Sequence, residues 1–111
     1  MHCIEVLPED ATIACSSTVD WFLMEYLSNF GIDLTVEHLD LSDEGVTGWC
    51  MKLGPSEYVI QIHNGLTGDE YTSTILHELY HVYQHLHNLP QCEICAYQAE
   101  QQLLDKYRNV V

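Results

Sequence analysis

A chain of 111 residues has room for one domain, taken here as 1–111, with one modest core. Seventeen Asp and Glu against three Lys and Arg give a formal charge of −14, which argues against nucleic acid and against anionic membranes as partners. Apolar residues make up 47% of the chain, too many for a disordered acidic tail.

In chain order, Ile4, Val6 and Leu7 ahead of Pro8 predict a short strand over residues 1–7. Ser16 or Ser17 can then cap a helix in which Val19, Phe22, Leu23, Tyr26, Leu27 and Phe30 recur at helical spacing, with Gly31 as its stop signal. Residues 32–41 set Ile32, Leu34 and Val36, then Leu39 and Leu41, against polar neighbours, as on a half-buried strand with a bulge. A turn rich in Ser, Asp, Glu and Gly follows. Residues 46–53, the turn Gly54-Pro55-Ser56 and residues 57–63 read as a hairpin. Its second strand places Tyr58, Ile60 and Ile62 on one face and Val59, Gln61 and His63 on the other.

Beyond Asn64-Gly65 the period changes. Thr67-Gly68-Asp69-Glu70 reads as a capping box, with Leu66 and Tyr71 as its hydrophobic staple, so a helix should run over 68–88 and stop before Pro90. A last helix over 91–109 should turn Ala96, Ala99, Leu103, Tyr107 and Val110 inward. The order β-α-β-β-β-α-α predicts an α+β domain: a small, mostly antiparallel meander with an N-terminal helix and two C-terminal helices. No apolar run approaches the roughly 18 to 20 residues that span a bilayer. Five cysteines, an odd number, without a secretory signal pattern predict a reducing compartment, the cytoplasm. Cys92 and Cys95 are read as ordinary reduced thiols near a helix start, since a second ligand pair for a zinc ribbon is missing.

Four of the seven histidines fall at 77, 81, 85 and 87. Residues 77–81 spell His-Glu-Leu-Tyr-His, the H-E-x-x-H pattern. At about 100° per residue, His77 and His81 stand about 40° apart and one turn along, so both imidazoles can grip one ion. Glu78 lies about 100° round from His77, out of reach as a ligand on the same ion but placed to act as general base on a water that the metal activates. The apolar residues Ile75, Leu76, Leu79, Val82 and Leu86 occupy the opposite side. A catalytic zinc site needs a third protein ligand. The next helix offers Glu93 and Glu100, about 20° apart on a stripe shared with Ala96 and Leu103, where an unpaired charge would be costly.

HELYH followed by Glu93-Ile94-Cys95-Ala96 resembles the gluzincin branch of zinc metallopeptidases, over residues 57–107. The HELYHVYQ stretch is also similar to short single-domain metallopeptidase-like proteins of phage and bacterial genomes. The resemblance implies a zincin-like fold and one Zn2+ held by His77, His81 and Glu93, with Glu78 as catalytic base. It makes Glu100 a hydrogen-bond partner of a ligand imidazole, with Glu100 as ligand the alternative. Eleven residues separate His81 from Glu93, fewer than in the large gluzincins.

The expected activity is zinc-dependent hydrolysis of a peptide or protein, with the substrate antiparallel to the strand 57–63 and His63 a candidate for substrate binding. The alternative is a catalytically weak or inactive zinc-binding module whose acidic surface meets a partner protein. His85 and His87 are read as partners of the helix's terminal carbonyls. Tyr80, Tyr97 and Tyr107 are read as packing residues, and none is assigned to catalysis.

Overall fold

The computed structural model describes residues 3–7 and 12–110. Met1, His2 and Pro8, at the limits of the first predicted strand, lie outside the described residues, as does the side chain of Val110. The elements follow in the order β1 (Cys3–Leu7), α1 (Thr12–Tyr26), β2 (Asp33–Leu39), β3 (Gly48–Gly54), β4 (Glu57–His63), α2 (Gly68–Leu86) and α3 (Glu93–Val110). A single 3-10 turn at Ser42–Glu44 separates β2 from β3. The chain is an α+β domain, as its order of elements predicts.

The sheet is not the antiparallel meander expected from that order. Its strands run β1-β2-β4-β3, with β1–β2 and β2–β4 parallel and only β3–β4 antiparallel. The crossover through α1 brings β2 back parallel to β1. After β2 the chain skips one strand position to the edge strand β3, and the tight turn at Pro55 and Ser56 returns β4 into the gap. Burial accounts for the exchange. Tyr58, Ile60 and Ile62 of β4 are 0–1% exposed, whereas Met51 and Leu53 of β3 stay 37% and 59% exposed. The strand with the cleaner buried face occupies the centre. Glu37, Gln61 and Trp49 then form a polar ladder across the other face, with Gln61 Nε2 donating to Glu37 Oε1 (2.9 Å) and Trp49 Nε1 donating to Gln61 Oε1.

Helix α1 begins about a turn before the predicted caps and ends at Tyr26, short of Gly31. Ser17 lies inside it, and its hydroxyl bonds the Tyr107 hydroxyl of α3 (2.7 Å) instead of capping backbone. Trp21 packs on the same tyrosine, with ring centroids 5.4 Å apart.

Helix α2 lies at the centre of the molecule, against α1, α3, β3 and β4. Its Ile75, Leu76, Leu79 and Val82 are completely buried, each contributing about 1.5–3 kcal/mol by leaving water. The helix starts at Gly68 as predicted, but Thr67 at the N-cap makes no side-chain capping bond. Gly68, at φ 58°, turns the chain into the helix in its place. The end comes at Leu86, two residues before the predicted one. Asn88 adopts φ 55°, Asn88 N–H donates to His85 O (3.2 Å) and Leu89 N–H donates to Gln84 O (2.8 Å). This is a Schellman closure, with Pro90 following it.

Helix α3 buries Ala96, Leu103 and Leu104 against α2 and the core. Among the described residues, no helix is long and apolar enough to cross a membrane.

Candidate metal centre

His77 and His81 project from one side of α2, one turn apart, with ring centroids 5.0 Å from each other. They are 6% and 7% exposed, and Glu78 is 5% exposed. Burial on this side comes from α3. The Schellman turn and residues 89–92 double the chain back so that Glu93, the first residue of α3, faces both imidazoles.

The contacts are specific to ring atoms. Nε2 of His81 lies 2.5 Å from Oε1 of Glu93, and Nε2 of His77 lies 3.3 Å from Oε2 of the same carboxylate. The other ring nitrogens are engaged elsewhere. Nδ1 of His77 donates to Oε2 of Glu100 (3.2 Å), and Nδ1 of His81 donates to Oε1 of Gln84 (2.8 Å). With both Nδ1 atoms so engaged, the two Nε2 atoms and the two Glu93 oxygens converge on one place, where a cation would meet all of them.

His77, His81 and Glu93 form a group able to hold a metal ion, with their ligand atoms within 4.8 Å of one another. Two imidazoles and a carboxylate suit zinc and other first-row divalent metals. Of the two acidic candidates on α3, Glu93 reaches the Nε2 atoms and Glu100 reaches an Nδ1. Glu100, 17% exposed at its side chain, sits behind His77 as an orienting partner. Burial pushes its carboxyl above the ordinary range, against the opposing pull of His77.

These residues line a cleft of about 710 Å³. Its second wall is the segment from Gly45 through Cys50, and Tyr97 of α3 lies on the rim with its ring 4.6 Å from that of His77. Gly48 lets β3 close on α2. A Cβ there would stand 3.0 Å from Thr74 Cγ2, 3.1 Å from Ile62 Cδ1 and 3.2 Å from the Gln61 carbonyl oxygen. Glu78 points into this space, its pKa pushed up to about 8 by burial first and then by Glu93 and Glu100. Behind it, burial and Glu78 together push the Cys50 thiol up to about 12.

Two expectations need correction. Strand β4 cannot pair with an extended substrate, because both of its edges are taken by β2 and β3. The edge beside the cleft belongs to β3. His63 is not part of the cleft lining. Its Nδ1 accepts the backbone N–H of Leu41 (3.1 Å), and the ring borders a separate hollow of about 210 Å³. His85 and His87 also stay apart from the metal-ligating group, packed on Tyr58 and on Tyr83 with Phe30.

One residue was missed by sequence reasoning. Gln84, 2% exposed, holds His81 and also donates from Nε2 to the backbone carbonyl of Cys92 (3.3 Å). Its position three residues after His81 was the available signal, since residues three apart share a helix face. Next to Glu93, the Cys92 thiol accepts the backbone N–H of Cys95 (3.1 Å), and Cys50, Cys92 and Cys95 are free thiols. Comparison with protein-family models, with curated proteins and with solved structures finds no match to this chain.

Proposed function

We propose that the protein is a metal-dependent peptidase of minimal, zincin-like form, with zinc as its ion and a peptide or protein as its substrate. The observation that carries this reading is the convergence of two imidazole Nε2 atoms and one carboxylate beside a buried glutamate, Glu78. His77, His81 and Glu93 would hold the ion, and a divalent cation held there would supply Lewis acidity to the scissile carbonyl and to a water near neutral pH.

Glu78 does the proton work. Its carboxylate takes the proton of the attacking water at a side-chain oxygen and delivers it to the leaving amine nitrogen. Burial makes it a stronger base than an exposed glutamate, with its pKa pushed up to about 8. Glu100 and Gln84 hold the two imidazoles in orientation. An extended substrate lies along the open edge of β3, through main-chain hydrogen bonds with the stretch near Gly48, Trp49 and Cys50.

The test is Glu78→Gln. Zinc-loaded wild type should cleave members of a peptide library, and the variant should bind zinc equally well and cleave none. Hydrolysis surviving in the variant refutes this mechanism. Zinc binding without cleavage by the wild type favours a zinc-binding module that meets a partner protein.

A further inference from the structure

Gln84 is as buried as the apolar core, and its amide has two different ends. One end donates and the other accepts. Which is which is decided by Cys92, whose backbone carbonyl oxygen has no proton to give. It must face the NH2, and Gln84 Nε2 lies 3.3 Å from it. Oε1 is thereby turned toward Nδ1 of His81, 2.8 Å away. An amide oxygen only accepts, so a proton sits on Nδ1 of His81, and Nε2 is the ring nitrogen presented toward Glu93 and the cleft.

We infer that Gln84 is a positioning residue that couples the seating of α3 to the tautomer of His81. The inference rests on the reading of His77, His81 and Glu93 as metal ligands. Cys92 directly precedes Glu93, so the carbonyl that orients the amide belongs to the segment that delivers the third ligand. When α3 is seated, Glu93 and the His81 lone pair are set together. When it is not, the amide loses its reference and His81 is free to place its proton on Nε2, which weakens ligation through that nitrogen. The backbone of the same residue closes α2, with Leu89 N–H donating to Gln84 O (2.8 Å). Gln84 thus holds the end of one helix with its carbonyl and the approach to the next with its side chain. His77 has a simpler arrangement, because the Glu100 carboxylate accepts from Nδ1 in either of its orientations.

The test compares wild type, Gln84→Met and Gln84→Glu, using imidazole 15N NMR of the metal-free chains and Zn2+ titration. Methionine keeps the volume and removes both hydrogen bonds, whereas glutamate keeps an acceptor for Nδ1–H and loses only the donor to Cys92. Wild type should show His81 in the Nδ1–H form. Gln84→Met should lose that preference and bind Zn2+ about 10–100-fold more weakly. Gln84→Glu should retain the Nδ1–H form, and it keeps the question answerable if Gln84→Met fails to fold. Wild-type His81 found in the Nε2–H form, Gln84→Met with unchanged tautomer and affinity, or Gln84→Glu with the Nδ1–H form lost would each overturn the inference. A wild type that binds no Zn2+ while holding the Nδ1–H form overturns the metal reading itself, a result distinct from failure of the Gln84 role.

Discussion

Oε1 of Glu93 lies 2.5 Å from Nε2 of His81, although twelve positions of sequence and a helix reversal separate them. Its second oxygen reaches Nε2 of His77 (3.3 Å), so one carboxylate bridges the two imidazoles of α2. Glu100 touches only the far nitrogen of His77. The two glutamates therefore differ in role despite sharing a helical stripe. Glu100→Ala should weaken Zn2+ binding by about 10–100-fold, and Glu93→Ala should weaken it further. Calorimetric titration of both variants checks the order, and equal losses would contradict the assignment.

The raised pKa of Glu78 makes the metal-free protein sensitive to pH. Its folded value, about 8, exceeds the ordinary 4.5, so the native state binds the proton more tightly than the unfolded chain does. This contribution to stability is complete below about 4.5 and is lost as pH rises toward 8. Metal-free wild type should melt at least about 4 °C lower at pH 8 than at pH 5, the shift of roughly one kcal/mol in a domain of this size. Glu78→Gln, which cannot ionise, should flatten that fall, and thermal melts at the two pH values measure it. An unchanged fall in the variant would place the effect elsewhere.

Gly48 has little room for a side chain. A Cβ there meets Thr74, Ile62 and a backbone oxygen at 3.0–3.2 Å, whereas at Gly54 the nearest atom is 3.6 Å away. Gly48→Ala should cost about 1–3 kcal/mol of stability, the range for overpacking a filled site. Gly54→Ala should be close to neutral. Denaturant unfolding of the two variants makes the comparison, and similar stabilities would show that β3 can move away from α2.

The thiols should separate by reactivity. Cys95 is exposed and Cys92 half-buried, and contact with Cys95 and its backbone N–H holds the Cys92 thiol below its ordinary value. Cys50 is held protonated by burial and Glu78. Alkylation near pH 7.5, followed by peptide mass mapping, should label Cys92 and Cys95 well before Cys50. Equal labelling of Cys50 would mean that burial and Glu78 do not hold its thiol protonated.

How much of this was legible in the sequence depends on the range of the interaction. Strand β4 is read correctly because alternation at Tyr58, Ile60 and Ile62 is a local signal, and α2 starts where the Thr67–Glu70 pattern places it although Thr67 makes no capping bond. The start of α1 is misread because Ser17, a good cap by type, spends its hydroxyl on Tyr107, ninety positions away. Strand order is misread for a similar reason. Proximity in sequence places β3 beside β2, and only the packed face shows that β4 has the stronger claim to the centre. In the candidate site, His77, Glu78 and His81 follow from helical spacing. The division of labour between Glu93 and Glu100 follows only from which ring nitrogen each one meets. Gln84 is hidden because one of its partners is a backbone carbonyl, which carries no mark in the sequence.

The most direct test of the central claim is to follow peptide cleavage while Zn2+ is added stepwise to the metal-free protein. The account predicts that cleavage rises in proportion to added Zn2+ and levels off at one ion per chain, the capacity of the single His77, His81 and Glu93 group found among the described residues. Tight binding of one ion with no cleavage of any library peptide, or cleavage that proceeds equally well in the presence of a chelator, would contradict it.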